Sequence, residues 1–243
     1  MNHMEYQMTY NKIKDNFTYL KSKESLSIID EVIDFTTKNN SSFMEGFAYY
    51  SEKMCEMKRN NVILHSVKVA GFPKIKNLQE FDFSYQPSLN KAQIDELNTL
   101  RFVERGENVI FYGNSGVGKT HLATAIGVTA ARNRYSTYFI KCAQLMNDLF
   151  KASLENKLSE KLKKLSSYKL LIIDEFGYLP IDKAKANLLF QLIDRRYEKF
   201  STIITTNINF SQWDEVLGDP VIANAIIDRI LHHSVVITIK GKS

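Results

Sequence analysis

The sequence predicts an α/β fold, a parallel sheet flanked by helices, preceded by a small helical N-terminal domain. Three observations carry that expectation. A glycine-rich loop at 113–120 lies between a strand-like and a helix-like stretch, a second apolar stretch ends in the carboxylates Asp174 and Glu175, and strand-like and helix-like segments alternate through the rest of the chain. Parallel strands joined by crossover helices give that alternation.

Residues 1–70 read as helical and carry no catalytic signature. Ile28, Ile29, Val32, Ile33 and Phe35 fall toward one side of a helix, and Phe43, Phe47, Tyr50 and Met54 recur at spacings of three and four within 42–69. A docking module and a helical brace both fit that pattern, because helix periodicity reports packing alone. Gly71-Phe72-Pro73 and Pro87 break the periodicity, so 71–88 reads as a connector in which Phe81, Phe83 and Tyr85 alternate against a hydrophobic surface. The main domain then spans 89–243, opening with a helix through 92–97.

Asn108-Val109-Ile110-Phe111-Tyr112 is a short buried strand by its β-branched and aromatic content. Gly113-Asn114-Ser115-Gly116-Val117-Gly118-Lys119-Thr120 follows and fits G-x-x-x-x-G-K-[ST], the phosphate-binding loop. Its glycines let backbone N–H groups turn inward around a phosphate, and the helix that begins at His121 adds unpaired donors and a partial positive charge, so the nucleotide-binding residues are expected to run from Gly113 through His121. Lys119 is placed to reach the β- and γ-phosphates of ATP, and the Thr120 hydroxyl to ligate Mg²⁺.

Residues 136–140 form a second strand, 143–150 a helix, and Leu154, Leu158, Leu162 and Leu165 a helical stripe. Lys157, Lys161, Lys163 and Lys164 share that segment and read either as a DNA-facing patch or as a solvated face. Leu170-Leu171-Ile172-Ile173 suits a strand buried on both faces. Asp174 and Glu175 stand at its carboxyl end, where α/β sheets bind ligands. Asp174 is expected in the Mg²⁺ shell, and Glu175 as the general base that polarises water. The strand at 201–207, expected between the other two, brings Asn207 beside the γ-phosphate and water. Asp219-Pro220 starts the last helix, with Asp228 and Arg229 off its apolar face. His232 and His233 are adjacent, point in different directions on helical spacing and make a poor metal pair. Residues 235–239 close the domain as a strand.

Composition bounds the rest. The 243 residues carry a formal charge of +5, which permits a polyanionic partner such as DNA. No apolar run reaches the length of a membrane span, and the polar start at 1–6 lacks a signal-like core, so a cytoplasmic chain without a membrane partner is expected. Cys55 and Cys142 read as free thiols.

These residues resemble the IstB family, ATP-binding helper proteins of bacterial insertion sequences related to the DnaC helicase loader. The matching stretches include Phe81-Asp82-Phe83, 113–122, Asp174-Glu175-Phe176-Gly177-Tyr178-Leu179-Pro180, 201–207 and Asp228-Arg229-Ile230-Leu231-His232-His233. The similarity is strong over 78–243 and loose before it. It implies an AAA+ ATPase fold, Mg²⁺-dependent hydrolysis of ATP, assembly on DNA largely independent of sequence, and a transposase partner. It also implies that Asn207 is the sensor-1 residue and that Arg229 is an arginine finger acting in trans within a homo-oligomer. Family members continue past Gly-x-Ser with Tyr-Arg, whereas this sequence stops at Gly241-Lys242-Ser243. The expectation there is a truncated end or a weakened γ-phosphate sensor. A replicative helicase loader and a nucleotide-gated binding module with little hydrolysis are the rival readings.

Overall fold

The structure, a computed structural model, describes residues 3–241; the sequence readings at Met1-Asn2 and Lys242-Ser243 lie outside them. The chain divides into two compact units, Met1–Leu64 and His65–Ser243.

The first unit is helical. Helices α1 (His3–Tyr19) and α2 (Lys23–Lys38) are followed by α3 (Phe43–Val69), and the division falls inside α3. Ile28 and Ile29 of α2 are buried, the Ser25 hydroxyl is 2.8 Å from that of Tyr50, and Phe35 stacks on Tyr49 with centroids 4.0 Å apart. Gly46 packs on Thr36 where no larger residue fits. Phe43 and Phe47 stay exposed, although their spacing predicted an inward face.

In the second unit the chain after α3 makes two short 3₁₀ turns, Leu78–Glu80 and Phe83–Tyr85. Phe81 and Phe83 pack onto the domain core as expected, and Phe72 joins them, but Tyr85 is exposed, because the 3₁₀ geometry replaces the alternation of an extended segment. Then come α4 (Lys91–Asn98), α5 (Arg101–Arg105), β1 (Asn108–Gly113), α6 (Lys119–Arg132), β2 (Thr137–Lys141), α7 (Cys142–Leu154), α8 (Leu158–Ser166), β3 (Leu170–Phe176), α9 (Lys183–Arg196), β4 (Ser201–Thr206), α10 (Trp213–Leu217), α11 (Pro220–Leu231) and β5 (Ser234–Ile239). The sheet order is β2-β3-β4-β1-β5, with every pairing parallel. The strand at 201–206 therefore does lie between the other two. The expected single leucine stripe is corrected. Asn156 adopts a left-handed backbone (φ 58°) that ends α7 and starts a new direction, leaving Leu154 exposed while Leu162 and Leu165 are buried.

The period of two along each strand fills two cores. Ile110, Leu171, Ile173 and Ile204 face α7, α9 and α11. Val109, Phe111, Leu170, Ile172 and Ile203 face α4 and α6. Every residue of β4 is buried, so its flanks fix it from both sides.

Arg196, at the end of α9, is 1% exposed. Its guanidinium donates to the carbonyls of Leu165, Tyr168 and Ser201 and to the Thr202 hydroxyl. These bonds tie the end of α8 and the starts of β3 and β4 together. Burial pushes its pKa down to about 9, which still leaves it charged at neutral pH. Arg196→Ala strands several buried carbonyls and is expected to cost about 3–5 kcal/mol. Urea denaturation would read this; a loss below about 1 kcal/mol would show that the guanidinium is not what ties these segments.

Candidate nucleotide-binding site

The site is assembled where β1, β3 and β4 end. Gly113 closes β1 beside Ile239 of β5, and an added Cβ would collide with the Ile239 carbonyl. Gly118 has φ +98°, and a Cβ there would come 2.6 Å from Phe81. That position thus excludes side chains twice, by backbone and by the Phe81 ring. Val117 points into the core, whereas Asn114, Ser115 and Gly116 border the open side of the loop.

Helix α6 begins at Lys119, so its first N–H groups face the loop. The Lys119 ammonium donates to the carbonyls of Gly113 and Asn114, each at 2.7 Å. Burial lowers its pKa, against the pull of Asp174. Thr120 and Thr205 both donate hydroxyl hydrogen bonds to Oδ1 of Asp174, at 2.8 and 2.5 Å. The Glu175 N–H in turn donates to the Thr205 hydroxyl at 2.9 Å. Asp174 is 1% exposed, while the Glu175 side chain reaches solvent.

The β3–β4 register shifts between Ile173 and Phe176, and Glu175 has φ 58°. This irregularity turns consecutive carboxylates to different settings, as bulges beside functional sites do. Glu175 accepts an ion-paired hydrogen bond from Lys141 at 3.0 Å, and that bond raises the lysine's pKa. A cleft of about 160 Å³ is bordered by Lys119, Thr120, Glu175, Thr205 and Asn207. The predicted Lys119, Thr120, Asp174, Glu175 and Asn207 therefore converge.

Two predicted residues stand apart from this cleft. His121 lies beside the connector, with Nε2 3.2 Å from the Asn77 carbonyl and its ring edge-on to Phe81. Arg229 lies along α9, where Nε donates to Asp194 at 2.8 Å, Nη1 to the Ala225 carbonyl at 3.3 Å, and the guanidinium covers the Phe190 ring at 4.6 Å. The reading of His232 and His233 as divergent is corrected. Helix α11 ends at Leu231, so the pair lies on the following turn with rings 4.2 Å apart, both beside Glu198. Lys161 of α8 pairs with Asp148, and Lys157, just before that helix, pairs with Glu155. Two of the four lysines of that segment are thus paired within the chain.

Sequence reasoning missed Thr205 and Lys141. Thr205 was visible only as one polar residue at a strand end, and Lys141 as the residue after the second strand. Their roles come from neighbouring strands in the sheet.

The profile of the IstB-like ATP binding protein family matches residues 17–243. An ATP-binding protein assigned to insertion sequence IS232 of Bacillus thuringiensis is 52% identical, over 97% of this chain and 94% of its own length. A counterpart from IS5376 of Geobacillus stearothermophilus is 42% identical over 86% and 84%. Among solved structures, the DnaC helicase loader superposes with TM-score 0.55 and 27% identity, covering 63% of this chain and 90% of that one. The fold is accordingly an AAA+ sheet with helices before it. No helix among the described residues is long and apolar enough to cross a membrane.

Thr205→Val keeps the shape of the strand end and removes the hydroxyl shared by both carboxylate positions. It should weaken Mg²⁺–nucleotide binding about tenfold, the scale of one lost hydrogen bond to a charged group, and lower stability by about 1–3 kcal/mol, because the buried Asp174 loses a donor and the Glu175 N–H loses its acceptor. Titration of a fluorescent ATP analogue would measure this, and unchanged affinity would show that Thr205 does not set the Asp174 carboxylate.

Proposed function

We infer function from one premise: the chain belongs to the IstB-like ATP-binding protein family. From it we propose an ATP-dependent, DNA-binding helper ATPase of bacterial transposition, which assembles on DNA as a homo-oligomer and engages the transposase of the same insertion sequence. The observation that carries the enzymatic part is the Thr120–Asp174–Thr205 network beside Lys119 and Glu175.

The loop N–H groups and Lys119 hold the phosphates of ATP. Thr120 and the buried Asp174 offer hard oxygen donors 2.8 Å apart, a set that fits Mg²⁺. Bound there, the ion would neutralise charge on the β- and γ-phosphates. Glu175 accepts a proton from the attacking water once it leaves Lys141, and the Asn207 amide orients water and γ-phosphate.

Arg229 completes the site of a neighbouring subunit. Its in-chain partners occupy Nε and one Nη1 hydrogen, so among the described residues the Nη2 edge of the fork has no hydrogen-bond partner. A planar, always charged fork suits phosphate oxygens. A helicase-loading role is the second reading, favoured by the likeness to the DnaC loader, and capture of a replicative helicase in place of a transposase would select it.

Lys119→Ala should abolish ATP binding, whereas Glu175→Gln should bind ATP normally and lose turnover. Parental hydrolysis in the glutamine variant would remove Glu175 from the role of base. Arg229→Ala should bind ATP but hydrolyse about 10³-fold more slowly. Mixing it with Glu175→Gln should restore activity at interfaces where an intact arginine meets an intact glutamate. No recovery on mixing, with specific activity independent of protein concentration, would exclude the trans finger. DNA affinity should fall steeply between low and physiological salt as condensed counterions are displaced. A flat salt response in a filter-binding assay would argue against phosphate contacts.

A further inference from the structure

We propose that Glu198, His232 and His233 form a binding site for a divalent transition-metal ion of the zinc type, apart from the nucleotide cleft. One carboxylate oxygen and two imidazole nitrogens lie within 4.8 Å of one another. Oε1 of Glu198 is 3.7 Å from Nδ1 of His232 and 3.7 Å from Nε2 of His233. Tetrahedral zinc bonds such atoms at about 2.0–2.1 Å, which sets neighbouring ligands about 3.4 Å apart. Small side-chain rotations of exposed residues close the difference. Two imidazoles with one carboxylate select zinc-type ions, whereas Mg²⁺ favours oxygen ligands alone. Nδ1 of His232 is hydrogen-bonded to the Tyr197 hydroxyl at 2.7 Å, a bond that the ion would displace.

Glu198 follows the end of α9 with φ 57°, a left-handed position that favours glycine. Lys21, Asn40, Arg134 and Asn156 close their helices in the same conformation. The site also lies far from the phosphate loop. The His233 carbonyl accepts from Asn108 N at 2.7 Å, at the start of β1, whereas the nucleotide cleft is at the other end of that strand. A bound ion would tie the turn after α9 to the turn after α11.

Co²⁺ titration of the nucleotide-free full chain without a histidine tag tests the site. One equivalent should bind with the visible absorption of a four-coordinate ion and be displaced by Zn²⁺. Zn²⁺ should also raise the melting temperature of the parent chain. His232→Ala and His233→Ala should each weaken binding at least about tenfold. Glu198→Gly should weaken binding similarly while raising the melting temperature of the metal-free chain, because glycine relieves the left-handed backbone. Metal affinity unchanged in the double histidine variant or in Glu198→Gly would overturn the proposal. So would a parent chain that takes up no Co²⁺ at submillimolar concentration.

Discussion

One oxygen of Asp174 receives two hydroxyls, from Thr120 at the start of α6 and from Thr205 at the end of β4. Burying a carboxylate is costly unless hydrogen bonds replace the lost water, so this junction holds only while all three segments are in register. It therefore couples fold to site. The loop after β1, the carboxyl end of β3 and the carboxyl end of β4 are separate in sequence, and the sheet order brings them side by side. Displacing any one strand would leave Asp174 as an uncompensated buried charge.

The packing explains why the strands do not shift. Val109 and Phe111 lock into one core while Ile110 locks into the other, and the same alternation repeats in β3 and β4. A one-residue slip would exchange faces for every side chain in the strand. At the amino-terminal end of the sheet, Arg196 supplies the second fixed point by holding carbonyls of the segments that lead into β3 and β4. The irregular backbone lies at the opposite, carboxyl end, where the β3–β4 register breaks and Glu175 takes its left-handed backbone.

The legible parts of the sequence were those where backbone geometry demands a residue type. Gly118 must lack a side chain, Lys119 and Thr120 must begin a helix, and Asp174 must end a buried strand, so the motif alone places them. The strands were read to within a residue or two from their β-branched runs. What remained hidden depends on neighbours distant in sequence. Thr205 matters because β4 lies beside β3, and Lys141 because β2 lies on its other side. Helical arithmetic failed where helices stop: at Asn156, which divides the leucine stripe, and at His232, which lies beyond the last turn of α11. The exposed Phe43 and Phe47 show a third limit, since spacing marks a helix face but not what covers it.

The two charged groups assigned to turnover differ from those assigned to binding. Lys119, Thr120 and Asp174 are already gathered at the loop by hydrogen bonds among themselves and to its carbonyls. In the proposed mechanism Glu175 and Arg229 must each act on a phosphate or its water, yet each is engaged within its own chain, by Lys141 and by Asp194. Both pairs are partly solvent-exposed, and exposed ion pairs contribute only about 0–1 kcal/mol. A γ-phosphate carries more charge than a single carboxylate and presents several acceptor oxygens to a lysine or an arginine. It can therefore draw Lys141 from Glu175 and turn the free edge of Arg229 toward a neighbour at small cost. On that proposal, binding is built into the single subunit, whereas hydrolysis would wait on exchanging two weak pairs for contacts that need nucleotide and a second subunit.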